Sequence, residues 1–144
     1  MSDLRPFHLA IPVEDLGAAR AFYGKALGCA EGRSDTHWVD FNFFGHQLVC
    51  HLDNTRAVTG RKVRNAVDGD PVPVPHFGVV LTMKDWEALR QRLVERDVYF
   101  DIEPRIRFKG RPGAQATMFF TDPSGNTLEF KAFDADQQIF AKQP

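Results

Sequence analysis

The sequence predicts an α+β fold built from two copies of one module around a shared sheet. Three observations predict it. Short stretches with apolar residues at every second position read as strands, and two longer stretches with apolar residues three and four apart read as helices. Histidines open an apolar strand twice, at His8 and His76, an offset of 68. The features behind them repeat in the same order: Leu16 and Trp86 at 70, then Gly45 and Gly125, and Leu48 and Leu128, both at 80. A repeat of this kind calls for modules that bury their apolar faces together. At 144 residues the chain forms one domain, with module 1 over about 5–53, a connecting loop over about 54–74, module 2 over about 75–133 and a tail over 134–144.

Phe7 to Pro12 is the first strand. Phe7, Leu9 and Ile11 face one way, and His8, Ala10 and Pro12 the other. A histidine here is either a satisfied core or edge residue or a ligand. Glu14 and Asp15 precede Leu16, Ala19, Phe22, Tyr23, Ala26 and Leu27, an amphipathic helix that ends at Gly28 and lies on the apolar face. Cys29 to Arg33 is a candidate strand. Arg33 to Phe44 and Gln47 to Leu52 follow as a hairpin about Gly45. From Asp53 to Val74 the pattern dissolves into glycine, proline, asparagine and arginine, which reads as a linker or as a functional cover.

Pro75 to Met83 is apolar again. Trp86, Leu89, Leu93 and Val94 mark the second amphipathic helix, with Arg90, Arg92, Glu95 and Arg96 outward. Val98 to Ile102 reads as a strand, Arg105 to Gly113 as a basic loop and Ala116 to Thr121 as a strand. Asp122 to Asn126 is a cluster of turn formers, hence a hairpin loop. Beyond it Leu128 and Phe130 alternate with Glu129 and Lys131, so the two charges share one strand face.

Composition narrows the function classes. Apolar content of 43% and charged content of 26% fit a globular chain and argue against disorder. Eighteen basic residues against nineteen acidic ones remove the electrostatic case for nucleic acid or a membrane surface. The start, Met1 to Pro6, lacks the apolar core of a signal peptide, and no apolar run approaches the roughly 20 residues of a membrane span. A cytoplasmic protein with a small-molecule partner is expected. Cys29 and Cys50 lack metal-type spacing and read as free buried thiols.

In a pseudo-symmetric pair of modules, the two first strands and the last strand lie side by side on the concave face, so His8, His76 and Glu129 converge. Two imidazoles and one carboxylate are the facial triad of non-haem iron(II), which leaves open positions for substrate and dioxygen. His51 shares the strand face of Val49 and points into the cup, or else caps the strand end. Lys131 is its counterpart in the second module, and Asp40 and Asn42 alternate with apolar residues, so all three are expected to line the pocket. Arg56, Arg61, Arg105, Arg107 and Lys109 lie in the loops best placed to cover it, as a clamp for an anion or as solvated surface. His37 and His46 have no partner in the other half and read as surface.

The stretches Phe7-His8-Leu9-Ala10-Ile11-Pro12-Val13-Glu14-Asp15, Ala21 to Gly28, Pro75-His76-Phe77-Gly78-Val79 and Phe120 to Phe130 resemble the vicinal oxygen chelate superfamily. Its members include glyoxalase I, fosfomycin-resistance thiol transferases, bleomycin-resistance proteins and type I extradiol dioxygenases. The resemblance spans about Pro6 to Phe133. It implies paired βαβββ modules forming a cup-shaped mixed sheet with helices on its outer face, a divalent metal held by His8, His76 and Glu129, and a homodimer. Iron(II) is the expected ion, and manganese, nickel and zinc accept the same ligand types.

Val49 stands where glyoxalase I has a fourth protein ligand, and an apolar side chain cannot coordinate, which disfavours that reaction. His51 matches the acid-base histidine of the extradiol enzymes, whose reading is the leading one: a dioxygenase-like oxidoreductase acting on an oxygen-chelating, catecholic or anionic molecule. Phe119 and Phe120 stand where those enzymes carry a tyrosine, and a phenyl ring cannot donate a hydrogen bond. Phe120 and Arg105 are expected among the substrate contacts. The rivals are a thiol transferase of the fosfomycin-resistance kind and a non-catalytic binding protein.

Overall fold

A computed structural model describes residues 4–53, 55, 63–67, 69–110 and 114–142. They fall into two compact units, the first up to residue 55 with 122–126, the second over 63–121 and 127–142.

In the first unit β1 (His8–Val13), β2 (Glu31–Ser34), β3 (Trp38–Phe43) and β4 (His46–Leu52) form one sheet in the order β1-β4-β3-β2, with β1 parallel to β4. Helix α1 (Leu16–Ala19) is capped by Asp15, whose carboxylate accepts from the Ala18 amide at 3.0 Å, so this acid stands at the cap and not in the first turn. It runs on as a wider π-helical stretch, Arg20–Ala26. Gly28, at φ +79°, closes it, with the Cys29 amide bonded back to the Tyr23 carbonyl at 2.9 Å. Tyr23 packs its ring on Phe41 and Phe43, at 5.7 and 6.3 Å between centroids. With Ile11, Val13, Val39, Leu48 and Cys50 these rings make the apolar core, and both cysteines are free and buried.

The second unit repeats this plan. β7 (Val80–Leu81), α2 (Met83–Glu95), β8 (Phe100–Arg107), β9 (Gln115–Thr121) and β10 (Thr127–Phe133) give a sheet of order β7-β10-β9-β8 with β7 parallel to β10. Thr82 caps α2 by accepting from the Asp85 amide at 3.1 Å. Trp86, Leu89 and Leu93 bury against the sheet, and the Trp86 indole donates to the Phe130 carbonyl at 3.0 Å. Val94, assigned to the apolar stripe, is half exposed.

The internal repeat holds at the level of single residues. Leu9 pairs with Leu48 in the first unit, and their counterparts, Phe77 at an offset of 68 and Leu128 at 80, pair in the second. The fold is therefore α+β, with one βαβββ plan used twice.

Three stretches differ from expectation. Residues 53–74 contain a hairpin, β5 (Val63–Val67) with β6 (Asp70–Val74). Pro71 and Pro73 hid it, yet in a two-stranded ribbon every strand is an edge, where a missing amide is tolerated. Residues 54, 56–62 and 68 lie outside those described. Strand β8 extends through Arg105 to Arg107, which read as loop. It is the edge strand of its sheet, and register shifts on either side of Ile102 absorb Pro104. The strand expected over Pro75–Met83 is regular only at Val80–Leu81, although Phe77 and Val79 still accept from Glu129 and Lys131 at 2.8 and 3.3 Å.

Candidate metal and substrate site

Glu129 sits in the middle of β10 opposite Phe119. Its neighbours Leu128 and Phe130 are fully buried beneath α2, so alternation turns Glu129 to the other face. His76 meets it there, Nε2 lying 3.2 Å from Glu129 Oε1. The other ring nitrogen, Nδ1, is 2.6 Å from the Pro73 carbonyl oxygen. A carbonyl only accepts, so Nδ1 carries the hydrogen, and Nε2 directs at Glu129 either a lone pair or the second proton of an imidazolium. Thr117 Oγ1 donates to Glu129 Oε2 at 2.6 Å, leaving Oε1 turned toward His76. The Phe119 ring stands nearly perpendicular to the imidazole, with 5.1 Å between ring centres.

The first unit prepares His8 in the same manner. By register His8, Ala10 and Pro12 share a face with Gln47, Val49 and His51 and with Trp38, Asp40 and Asn42. Gln47 Nε2 donates to Asp40 Oδ2 at 3.3 Å, and this sets the amide with its oxygen toward His8 Nδ1 at 2.8 Å. That oxygen only accepts, so Nδ1 of His8 carries a hydrogen and Nε2 is left for another partner. Both histidines thus have the outer-shell acceptor that metal-ligating imidazoles require. His51 is exposed on this face. Asn42 serves the turn instead, accepting from the Gly45 amide at 2.8 Å, and His46 accepts from the Phe7 amide at 2.8 Å.

A divalent ion suits the donors at His76 and Glu129: an imidazole nitrogen with its tautomer set and a carboxylate oxygen facing it. Among the described residues no three His, Cys, Asp or Glu side chains gather into one metal-holding group, so the assembled part is this pair.

Around the pair the second unit opens a cleft of about 200 Å³. Arg105, Arg107 and Lys131 line it, as does Asp70 of the hairpin, which forms an ion pair with Arg105. Arg105 and Lys131 are where sequence reasoning expected substrate contacts, although Arg105 and Arg107 arrive on a strand. Arg56 and Arg61 lie outside the described residues, and Lys109 is exposed. Phe120 is a correction. It is fully buried, stacked on Phe130 at 5.8 Å between centroids, and Phe119 is the ring that reaches the cleft. The two differ by one position on a strand, which exchanges core for cleft.

Sequence reasoning missed Asp70, Thr117 and Gln47. Gln47 carried a usable signal, since it stands two residues from Val49, already assigned to the site face, whereas Thr117 shares the parity of Phe119 and is set aside once Phe120 is placed at the pocket. Asp70 carried none, because a turn-rich stretch does not show which strand it will face.

Residues 5–130 match the model of the glyoxalase/bleomycin resistance protein/dioxygenase superfamily. A glyoxalase/bleomycin resistance protein/dioxygenase from Alicyclobacillus acidocaldarius is 34% identical, with a TM-score of 0.74 over 94% of this chain and 96% of that one. The fold is also similar to two more distant structures. Genomically encoded fosfomycin resistance protein FosX from Listeria monocytogenes shares 17% identity at a TM-score of 0.64, covering 96% of this chain and 98% of its own. Lactoylglutathione lyase from Agrobacterium tumefaciens shares 16% at 0.61, covering 88% and 91%. No curated protein sequence matches significantly.

Proposed function

Since the chain belongs to the glyoxalase/bleomycin resistance protein/dioxygenase superfamily, we propose that it is a divalent-metal-dependent, dioxygenase-like oxidoreductase acting on a small oxygen-chelating molecule. His8, His76 and Glu129 are the ligands in this reading, and iron(II) is the ion. One observation carries it: each first-strand histidine gives its Nδ1 hydrogen to a fixed acceptor, Gln47 or Pro73, and keeps Nε2 for something else. Bound iron(II) supplies Lewis acidity toward chelating oxygens and the one-electron chemistry that dioxygen needs.

The chain's own residues do the rest. Thr117 holds Glu129 Oε2, so the carboxylate presents Oε1. Phe119 packs edge-to-face with the His76 ring and limits its movement. His51, on the sheet face of His8, takes a proton from the substrate on an imidazole nitrogen and returns it, as a side chain with both a donor and an acceptor nitrogen can.

Phe119 favours a second reading. A ring without a donor at the cleft leaves a bound catechol without a hydrogen bond there, whereas thiol transfer to a small anion does not ask for one. Oxygen uptake by protein loaded anaerobically with iron(II), across a panel of catechols, tests the first reading. Thiol consumption with fosfomycin under manganese tests the second. Full turnover by His51→Ala removes the acid-base role. The proposed working form is a homodimer, as is common in this superfamily, and sedimentation at micromolar concentration checks it.

A further inference from the structure

The cleft of the second unit has two chemically different rows. One is the cross-strand row Glu129 and Phe119, with His76 beside it. The next, two residues along β10, is Lys131, Thr117 and Arg105, where Thr117 pairs with Lys131 on one side and Arg105 on the other. Two residues of strand separate the rows by about 6.8 Å. Arg107 and Gln115 pair in the row beyond.

The cationic row is already answering an anion. Asp70, delivered by the β5–β6 hairpin, places its carboxylate on the Arg105 guanidinium. Among the described residues no carboxylate pairs with Lys131, whose ammonium lies 5.5 Å from the Phe133 ring centre, on the far side from Glu129. A guanidinium binds a carboxylate or a phosphoryl group through two parallel donors, and an ammonium adds a point charge beside it.

We infer that Lys131 and Arg105 form an anion subsite in which Asp70 stands in for the ligand, and that the molecule taken here carries a carboxylate or phosphoryl group about one strand repeat from the oxygens it turns to His76 and Glu129. The two-ended description of the molecule rests on the metal reading above; the anion subsite does not. On entry the ligand's anion displaces Asp70 from Arg105, so the hairpin contact is exchanged for a ligand contact of the same charge and geometry.

The experiment titrates the full-length, metal-free protein with inorganic phosphate and with succinate by calorimetry at low ionic strength. Both arms bind in the expected result, or the one that does identifies the group as phosphoryl or carboxylate. Lys131→Gln and Arg105→Gln each weaken binding by about tenfold or more, the scale of a lost charge-assisted hydrogen bond. Asp70→Asn strengthens it, because the resident competitor is gone, while Lys84→Gln on the exposed side of α2 leaves it unchanged. The inference is overturned if neither anion binds, or if Lys131→Gln, folded by circular dichroism, binds as the wild type does. Should Arg105→Gln fail to fold, an Asp70→Asn protein that binds no tighter overturns it equally. Manganese binding by the same variants keeps the two ideas apart. Lost anion binding with metal retained leaves the metal reading standing, and anion binding that survives in a protein unable to hold metal leaves the subsite standing.

Discussion

Tyr23 and Asp122, 99 residues apart in the chain, meet inside the first unit, the phenol donating to Asp122 Oδ2 at 2.7 Å. Asp122 is 4% exposed and also accepts from the Ser124 amide, the Asn126 amide and the Asn126 side chain at 2.8 to 2.9 Å. Asn126 and Ser124 in turn hold the Pro12 carbonyl and the Glu14 amide, both at 2.8 Å. The turn is thus a buried polar network in which every member has partners.

Tyr23→Phe removes one donor and leaves Asp122 three, so it should cost about 1.5–3 kcal/mol, as hydrogen bonds to charged acceptors do. Asp122→Ala strands the buried phenol and three further donors, and should cost more. Urea unfolding of both variants measures this. An Asp122→Ala protein as stable as Tyr23→Phe would mean the network does not hold the turn.

Alkaline pH should destabilise the fold. Burial chiefly, then the negative charges of Asp122 and Cys29, push the Cys50 thiol up to about 12, and burial followed by Asp122 raises the Tyr23 phenol well above its ordinary value. Both groups stay neutral when folded. In the unfolded chain they ionise near their ordinary values of about 8.5 and 10, so unfolding releases protons above that range and stability falls as pH rises. The Cys50 contribution is intact below about pH 8.5 and declines by up to about 1.4 kcal/mol per pH unit toward 12. Melting temperature across the alkaline range checks the direction. In parallel, Cys50 should resist thiol reagents in the native protein and react once it is denatured. Ready labelling of Cys50 in the folded state at pH 8 would contradict the assignment.

Gly78→Ala should disturb the site without touching the side chain of a proposed ligand. A methyl group at Gly78 would overlap the backbone carbonyl of Glu129, and a main-chain atom cannot swing aside as a side-chain tip can. Strand β10 must then shift at Glu129, with a stability loss of about 1–3 kcal/mol as in overpacked cores, and with weaker metal binding. Equal loss of stability by Gly45→Ala, where an added methyl meets nothing within 4 Å but φ is +91°, would point to general glycine effects instead.

The groups behind the proposed ligands are expected to matter in graded fashion. Glu129→Gln and His76→Ala should abolish stoichiometric manganese or zinc binding, and Thr117→Val or Gln47→Leu should weaken it by about 10- to 100-fold, the usual effect of removing an outer-shell partner. Calorimetric titration of the purified proteins reads this directly. Undiminished affinity in both Thr117→Val and Gln47→Leu would remove the argument from fixed tautomers.

Much of the architecture was legible because it is periodic. The offsets that align His8 with His76 and Leu48 with Leu128 also align the observed pairs Leu9 with Leu48 and Phe77 with Leu128. Alternation at Leu128 to Lys131 likewise placed Glu129 and Lys131 on one face, and both line the cleft. The hairpin over Val63–Val74 and the reach of β8 to Arg107 were not legible. Proline is penalised in a strand interior, and only a known edge position excuses it.

Parity and partnership divide what the chain encodes locally from what its folding settles. By itself the sequence determined two copies of a strand-helix-strand plan, the residue types able to hold a cation, and the face on which Glu129 stands, because side-chain direction on a strand follows from counting by two. Only the tertiary structure decided that Phe119 and not Phe120 meets His76, that Asp122 binds Tyr23, and that Asp70 sits on Arg105. Those outcomes turn on register and on contacts between residues distant in sequence. Such choices rest on the packing of whole elements and not on any local preference of the chain.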